Sequence, residues 1–230
     1  NEDIVFTDGA LERAVRYLED PAHVQVGVIA FKLCNPDGTL QHSTYSFPTI
    51  PRALLDVSDL RHFVPISGWT IRMARWLGRG AGRSRFWGHD RTIGIETFRG
   101  ALVLARASAA REVGPMEEIS LLGGEDADWN RRFWDRGWAV VFLRDAAVIH
   151  YGNQTIKGNP RYKPEYLKGM LNYFRKHRSP MTYHTLRVLA LPVLLARLGW
   201  YAATGNRLMR ESMRECLRVV RTFNGTQPAA

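Results

Sequence analysis

Residues 123–142 read GGEDADWNRRFWDRGWAVVF, which predicts a glycine turn, a helix and a strand in succession. Paired glycines permit a tight turn. The acidic residues after them suit a helix N-terminus, where the helix dipole favours carboxylates. Gly137 ends the helix after Arg136, and the apolar residues 138–143 and 146–150 form two strand segments. This alternation indicates an α/β fold, with a mixed sheet flanked by helices.

The flanking sequence extends the same alternation. Upstream, we predict a helix over 8–20 capped by Asp8, strands over 24–33, 39–47 and 95–105, and a short helix capped by Ser108 and ended by Gly114. Residues 48–95 are rich in proline, glycine, arginine and tryptophan, and we predict a short helix followed by a loop there. Downstream, we predict a helix whose first turn contains Pro164, and one or two basic amphipathic helices over 184–222 with a kink at Pro192 and a break at Gly205.

Charge is distributed unevenly along the 230 residues, whose net charge is +10. From Lys157 onward there are 14 Lys or Arg against 3 Asp or Glu, a net charge of +11, which leaves −1 for residues 1–156. We therefore predict two parts, a catalytic body over 1–156 and a basic helical extension over 157–230.

The two cysteines, Cys34 and Cys216, are too few for a disulfide framework, which favours a reducing compartment. No signal-peptide pattern opens the sequence, and no apolar run of 18 residues is free of charge. The chain begins Asn1-Glu2-Asp3 rather than with Met, like the end of a motif. We expect that a preceding portion is missing.

Three features could carry chemistry, and each also has a purely structural interpretation. Glu125 and Asp126 at a helix start can simply cap the helix, or one of them can be held rigidly as a general base. Asp3 can be part of a polar turn, or a ligand of a hard cation. His150 at a strand end can be a surface residue, or a metal ligand.

The order of these motifs resembles that of the family 2 glycosyltransferases of GT-A fold, especially the rhamnosyltransferase-like branch. The matching segments are the N-x-D opening, a strand ending in NPDGTLQ, RGALVLARA, GGEDADWNRRFWDRGWAVVF and AAVIHYGN. The resemblance covers residues 1 to about 178. It implies a Rossmann-like sheet, of which this chain holds the C-terminal part. The strand–helix–strand unit with which the family begins, and which holds the nucleotide, has no match here.

The resemblance also implies roles for individual residues. Asp126 would be the catalytic base, and Glu125 its neighbour that positions the acceptor or the base. Asp3, after Asn1, would end a DxD-like motif and share a divalent metal, Mg²⁺ or Mn²⁺, with His150. The substrate-binding positions would be Gly100 and Ala101, which leave space for the donor, together with Gly124, Trp129, Lys157 and Arg161.

The implied function is inverting transfer of a sugar, with a deoxysugar such as rhamnose as one candidate. The donor would be a nucleotide-diphosphate sugar, and the acceptor a hydroxyl of a glycan or lipid-linked acceptor in cell-surface polysaccharide synthesis. Two further alternatives stay open, an inactive remnant of such an enzyme and a metal-dependent phosphohydrolase. A phosphohydrolase site usually needs more Asp and His ligands than this sequence offers.

A different class of function is a non-catalytic basic module that binds an anionic surface. No recognised nucleic-acid motif is present, so we expect no nucleic-acid partner. A membrane fits better, because apolar residues gather beside Arg187 and Arg197 as in an interfacial helix. Those residues are Leu186, Leu189, Val193, Leu194, Leu198 and Trp200. We expect a cytoplasmic protein in peripheral contact with the inner face of an anionic membrane, although helices packed on the body are the alternative.

Overall fold

A computed structural model describes residues 2–59, 69, 72, 73, 76, 89–118, 120, 124–152 and 159–225. The fold is α/β, with a mixed sheet and flanking helices, as predicted. Contacts divide the described residues into two compact units. The first comprises those within 1–47, 65–115 and 129–154, and the second those within 48–64, 116–128 and 155–230.

All described strands belong to the first unit. They are β1 Ile4–Phe6, β2 Val26–Cys34, β3 Leu40–Gln41, β4 Thr44–Tyr45, β5 Ile93–Gly94, β6 Thr97–Phe98, β7 Val103–Ala105 and β8 Ala139–His150. The main sheet has the order β1-β8-β2-β3, with β5 also pairing β8 and β7 also pairing β2. Strands β2 and β8 are parallel, and the other pairs are antiparallel. Strands β4 and β6 form a separate antiparallel pair.

The described helices are α1 Ala10–Glu19, α2 Ile50–Ser58, α3 Ala107–Val113, α4 Glu125–Asp135, α5 Tyr162–His177, α6 Pro180–Ala203 and α7 Arg207–Thr222, with a 3₁₀ turn at Pro21–His23. In the first unit, α1 covers the sheet through Ala10, Ala14 and Leu18, which pack in one buried cluster with Phe31 and Val148. β2 is almost entirely buried, which explains its continuous apolar run, as expected for a strand in the middle of a sheet.

The second unit is built from α2, α5, α6, α7 and the first residues of α4. Its core includes Leu171, Phe174, Leu186, Leu194 and Met213, all at most 1 % exposed. Gly205 separates α6 from α7 with a positive φ of 71°, so the predicted break there is confirmed. Pro192 lies inside α6, which continues through it, and the predicted kink stays a prediction.

Several predicted boundaries were wrong. Helix α1 is preceded by Gly9 in a left-handed conformation, so Asp8 does not cap it, and Ser108 lies inside α3, which follows Arg106.

The predicted strand 95–105 is interrupted by a turn at 100–101, and the two segments over 138–150 are one strand. The hairpin after β2 closes only through β3, because β4 pairs with β6 instead. Most of the predicted loop within 48–95 lies outside the described residues.

Candidate functional site

Asp3 and His150 lie side by side at one edge of the main sheet. β1 and β8 are antiparallel, with Ile4 opposite His150, so the start of β1 meets the end of β8. The Asp3 Oδ2 atom is 3.4 Å from His150 Nε2. The backbone N–H of Tyr151 donates to the Asp3 carbonyl at 3.0 Å, which fixes this residue just before β1. The sheet therefore brings two residues 147 positions apart into contact.

The side chain of Gln41 fixes the tautomer of His150. Its Nε2 atom donates to the His150 carbonyl and to Asn35 Oδ1, both at 2.6 Å. Both partners are acceptors, so the amide cannot be turned round, and its Oε1 atom must face His150 Nδ1, 2.7 Å away. Nδ1 therefore carries the proton and donates to Gln41, which leaves the lone pair of the neutral ring on Nε2.

The surroundings of His150 favour its neutral form. Burial lowers the pKa of His150, and Arg99 acts in the same direction while Asp3 opposes it. A neutral ring then directs the lone pair of Nε2 towards a carboxylate oxygen. Two hydrogen-bond acceptors that face each other do not stabilise the fold, whereas a cation bound by both would be stabilised.

This arrangement fits a divalent metal site. A histidine that binds a metal through one ring nitrogen typically donates its other N–H to a fixed acceptor, as His150 does to Gln41. Gly152 follows with a φ of 51°, and a β-carbon there would lie 3.2 Å from the imidazole, so this turn favours glycine. Within the described residues there is no group of three His, Cys, Asp or Glu able to hold a metal. Mg²⁺ is commonly bound by one or two protein groups, with water and substrate phosphates completing its shell. Asn1 lies outside the described residues.

Glu125 and Asp126 form the first turn of α4, as predicted, and both side chains are partly buried. The turn before them is shaped by Gly124, whose φ is 101°. A β-carbon on Gly124 would lie 2.7 Å from the Cα of Gly169 in α5, so the backbones touch directly. The start of α4 is thus seated against α5, which gives the two carboxylates a fixed position.

Asp128, the third acid of the motif, has a structural role. It is 2 % exposed. Its Oδ1 atom lies 2.7 Å from the Lys176 ammonium and 2.8 Å from His177 Nε2, both near the end of α5. Lys176 also contacts Glu117. Asp128 therefore ties the first turn of α4 to α5, and the motif divides into an anchoring acid and two acids that precede it.

The remaining predicted substrate contacts fall into different environments. Trp129 is buried, and its indole N–H donates to the Gly114 carbonyl at 2.9 Å, while its contact with substrate stays a prediction. Ala101 is buried in the core beside α1, and Gly100 forms the turn before it. Arg161 is exposed just before α5. Lys157 lies outside the described residues.

Gln41 and Gly169 were not found by sequence reasoning. Gln41 ends the NPDGTLQ segment, and the only local signal was that this turn precedes it. Asp3 and His150 belong to the first unit, while Glu125, Asp126 and Gly169 belong to the second. The structure thus brings together the two predicted metal ligands, and separately seats the two predicted catalytic acids.

Comparison with known proteins gives a distant match to a glycosyltransferase. The chain is 26% identical over 127 residues to N-acetylglucosaminyl-diphospho-decaprenol L-rhamnosyltransferase of Mycobacterium tuberculosis, in strains CDC 1551 / Oshkosh and ATCC 25618 / H37Rv. The match covers 55% of this chain and 38% of each relative, so the chain spans well under half of the length of the relatives it matches. No family model matches the sequence. At this identity the match supports a distant relationship to glycosyltransferases and nothing finer.

Proposed function

We propose that the protein takes part in inverting transfer of a sugar from a nucleotide-diphosphate sugar to a hydroxyl of a lipid-linked glycan acceptor. The observation that carries this proposal is the geometry around His150, whose Nδ1 lies 2.7 Å from Gln41 Oε1 and whose Nε2 lies 3.4 Å from the Asp3 carboxylate. A divalent ion held there would stabilise the negative charge of a diphosphate leaving group. The distant rhamnosyltransferase relatives support the same reaction class, and rhamnose is the sugar we propose first.

Asp126 acts as general base in this proposal. Its carboxylate removes the proton of the acceptor hydroxyl while the acceptor oxygen attacks the anomeric carbon. The bond between that carbon and the diphosphate oxygen breaks in the same step, so the configuration inverts and the nucleoside diphosphate leaves with the electron pair. Asp3 and His150 would hold the divalent ion, which when bound stabilises negative charge on the diphosphate. Glu125 would orient the base or the acceptor, and Arg161 would contribute positive charge for the diphosphate.

The test compares Asp126→Asn with the unchanged sequence, both in the full-length protein. We would supply a nucleoside-diphosphate rhamnose, Mn²⁺ and an N-acetylglucosaminyl-diphospho-polyprenol, and follow the glycosylated lipid by mass spectrometry. Removing a general base should lower the rate by about 10²–10⁴, while donor binding, measured by saturation-transfer NMR, is retained. Asp135→Asn is the matched control, since it changes an acid at the opposite end of the same helix.

Near-normal turnover of Asp126→Asn would reject Asp126 as the base and make Glu125→Gln the next variant. A protein that binds no nucleotide sugar and transfers none would favour the non-catalytic alternative.

A further inference from the structure

Helix α6 has an unusual distribution of side chains. Its 13 exposed residues include none of Asp, Glu, Lys or Arg. They are Pro180, Met181, His184, Thr185, Val188, Leu189, Pro192, Leu195, Ala196, Gly199, Trp200, Ala202 and Ala203. Met181, Val188 and Trp200 are 77%, 63% and 67% exposed. A surface helix of a soluble domain normally turns its charged side to water.

The two arginines of α6 instead bind groups of the second unit. Arg187 donates to the carbonyls of Val220 and Arg221, the last turn of α7, each at 2.6 Å. Arg197 donates to the Val57 carbonyl and to Asp59, also at 2.6 Å. The two arginines thus hold the helix in place, and its outer face is left without Asp, Glu, Lys or Arg.

This outer face is a continuous stripe. At 100° per residue, the exposed positions fall on one side of the helix, and from Met181 to Trp200 they extend for about 28 Å. We call the residues Met181, Val188, Leu189, Leu195 and Trp200 the α6 stripe. Several large exposed apolar side chains along one face of a helix are typical of an interaction site.

We propose that the α6 stripe docks on the surface of an anionic lipid bilayer. The charge of the neighbouring helix favours this partner. Helix α7 packs along α6 and exposes Arg207, Arg214, Arg218 and Arg221. The acids of α7 are Glu211, which is exposed, and Glu215, which pairs with Arg218. The segment from Lys157 onward has a net charge of +11. Apolar side chains beside clustered arginines are the combination that binds anionic membrane surfaces, whereas a second copy of this chain would bring the same positive charges together.

The helix lies on the bilayer and does not cross it. By length and composition alone α6 could span a membrane. Its opposite face, however, is buried against α7 and α2, through residues such as Leu186, Ala190 and Leu194. A spanning helix would carry Arg187, Arg197 and the arginine-rich α7 into the hydrocarbon layer, at a high energetic cost. An interfacial position buries only the stripe.

The structure corrects which residues would enter the lipid. Leu186 and Leu194, predicted from the sequence to contribute to the membrane surface, are 1% exposed and belong to the core. Val193 and Leu198 are partly buried, while Leu189 and Trp200 are exposed. Met181, Val188 and Leu195 replace the buried leucines.

The test is flotation with phosphatidylcholine vesicles, with and without phosphatidylglycerol, at low and high salt. We expect binding to the anionic vesicles that weakens with salt. Leu195→Glu should lower the partition coefficient by about tenfold or more, because it removes an inserted leucine. Leu11→Glu is the matched control, since Leu11 is 44% and Leu195 49% exposed, and Leu11 lies on α1 in the first unit.

Arg207→Gln and Arg214→Gln should each lower binding to anionic vesicles by about fivefold.

Circular dichroism and thermal unfolding would establish that each variant is folded. Absence of vesicle binding by the unchanged protein would overturn the proposal, as would equal binding by Leu195→Glu and Leu11→Glu. A concentration-dependent dimer that Leu195→Glu dissociates, without vesicle binding, would assign the stripe to self-association and also overturn it. Flotation needs no sugar donor, so its outcome is independent of the proposed transfer reaction.

Discussion

Gly124 and Gly169 bring the backbones of the α4 turn and α5 into direct contact, since a β-carbon on Gly124 would lie 2.7 Å from the Gly169 Cα. Such a distance does not occur between real atoms of this kind, so any larger residue must displace the turn that carries Glu125 and Asp126. The φ of 101° at Gly124 adds backbone strain for any residue with a side chain.

We predict that Gly124→Ala lowers the free energy of unfolding by about 3 kcal/mol, which combines strain with overlap. Gly137→Ala, at the other end of α4, is the control. Gly137 has a φ of 78° but no atom within 4 Å of an added β-carbon, so this variant should cost about 1 kcal/mol. Urea unfolding measures both. Equal losses would show that the contact with Gly169 contributes nothing.

Asp128 and Asp126 should respond differently to loss of charge. Asp128→Asn leaves the cationic group of Lys176 and the ring of His177 without their buried carboxylate, so we predict a loss of stability of about 3 kcal/mol. Asp126→Asn should reduce the rate of transfer with a much smaller loss of stability. Thermal unfolding of the two variants, paired with the transfer assay, separates anchoring from catalysis. A stable but inactive Asp128→Asn protein would contradict this division.

Local periodicity explains which parts of the fold could be predicted. The helix over 10–19, the buried strand β2 and the helix that begins at Glu125 follow from apolar spacing, glycine positions and the acidic first turn. The interruption at 100–101 could not be predicted, because it follows β6, whose partner β4 lies more than 50 positions earlier in the sequence. Long-range pairing of this kind leaves no local pattern.

The candidate site shows the same limit. Asp3 and His150 could be proposed from residue type and order, but Gln41 becomes relevant only because the sheet brings it to a residue 109 positions away. The sequence also did not predict which face of α6 is exposed. A sequence rule that places charge outward predicts the wrong face, since Arg187 and Arg197 find their partners inside the second unit.

Gln41→Ala should weaken metal binding without removing a ligand. The variant frees His150 Nδ1 and the His150 carbonyl from their partner, so the ring is no longer fixed with Nε2 towards Asp3. Loss of such an outer-shell contact typically lowers metal affinity by about 10–100-fold. Titration calorimetry with Mn²⁺ measures this directly, with exposed Gln25→Ala as the control. Unchanged affinity in Gln41→Ala would remove Gln41 from the site.

Asp59 offers a prediction about pH in the second unit. Its carboxylate is bonded by Lys163 and by Arg197, at 2.6 Å in the second case. Burial alone would raise the pKa of Asp59, but the hydrogen bonds and positive charges of these two partners outweigh burial and lower it. The folded protein therefore holds the charged form more tightly than the unfolded chain does. This contribution to stability is complete above the unfolded pKa, about 3.9, and is lost as pH falls through the lower folded value.

We predict that Asp59→Asn costs about 2 kcal/mol at pH 7, the order expected for hydrogen bonds to a charged group. Asn is the suitable replacement because Asp59 has a φ of 61°, a left-handed conformation that Asn tolerates well. The backbone is thus kept while the charge is removed. Urea unfolding of both proteins between pH 7 and about pH 3 should show the difference between them shrinking as Asp59 becomes protonated. A difference that stays constant over this range would mean that the Asp59 charge does not stabilise the second unit, and that Arg197 holds α6 through the Val57 carbonyl alone.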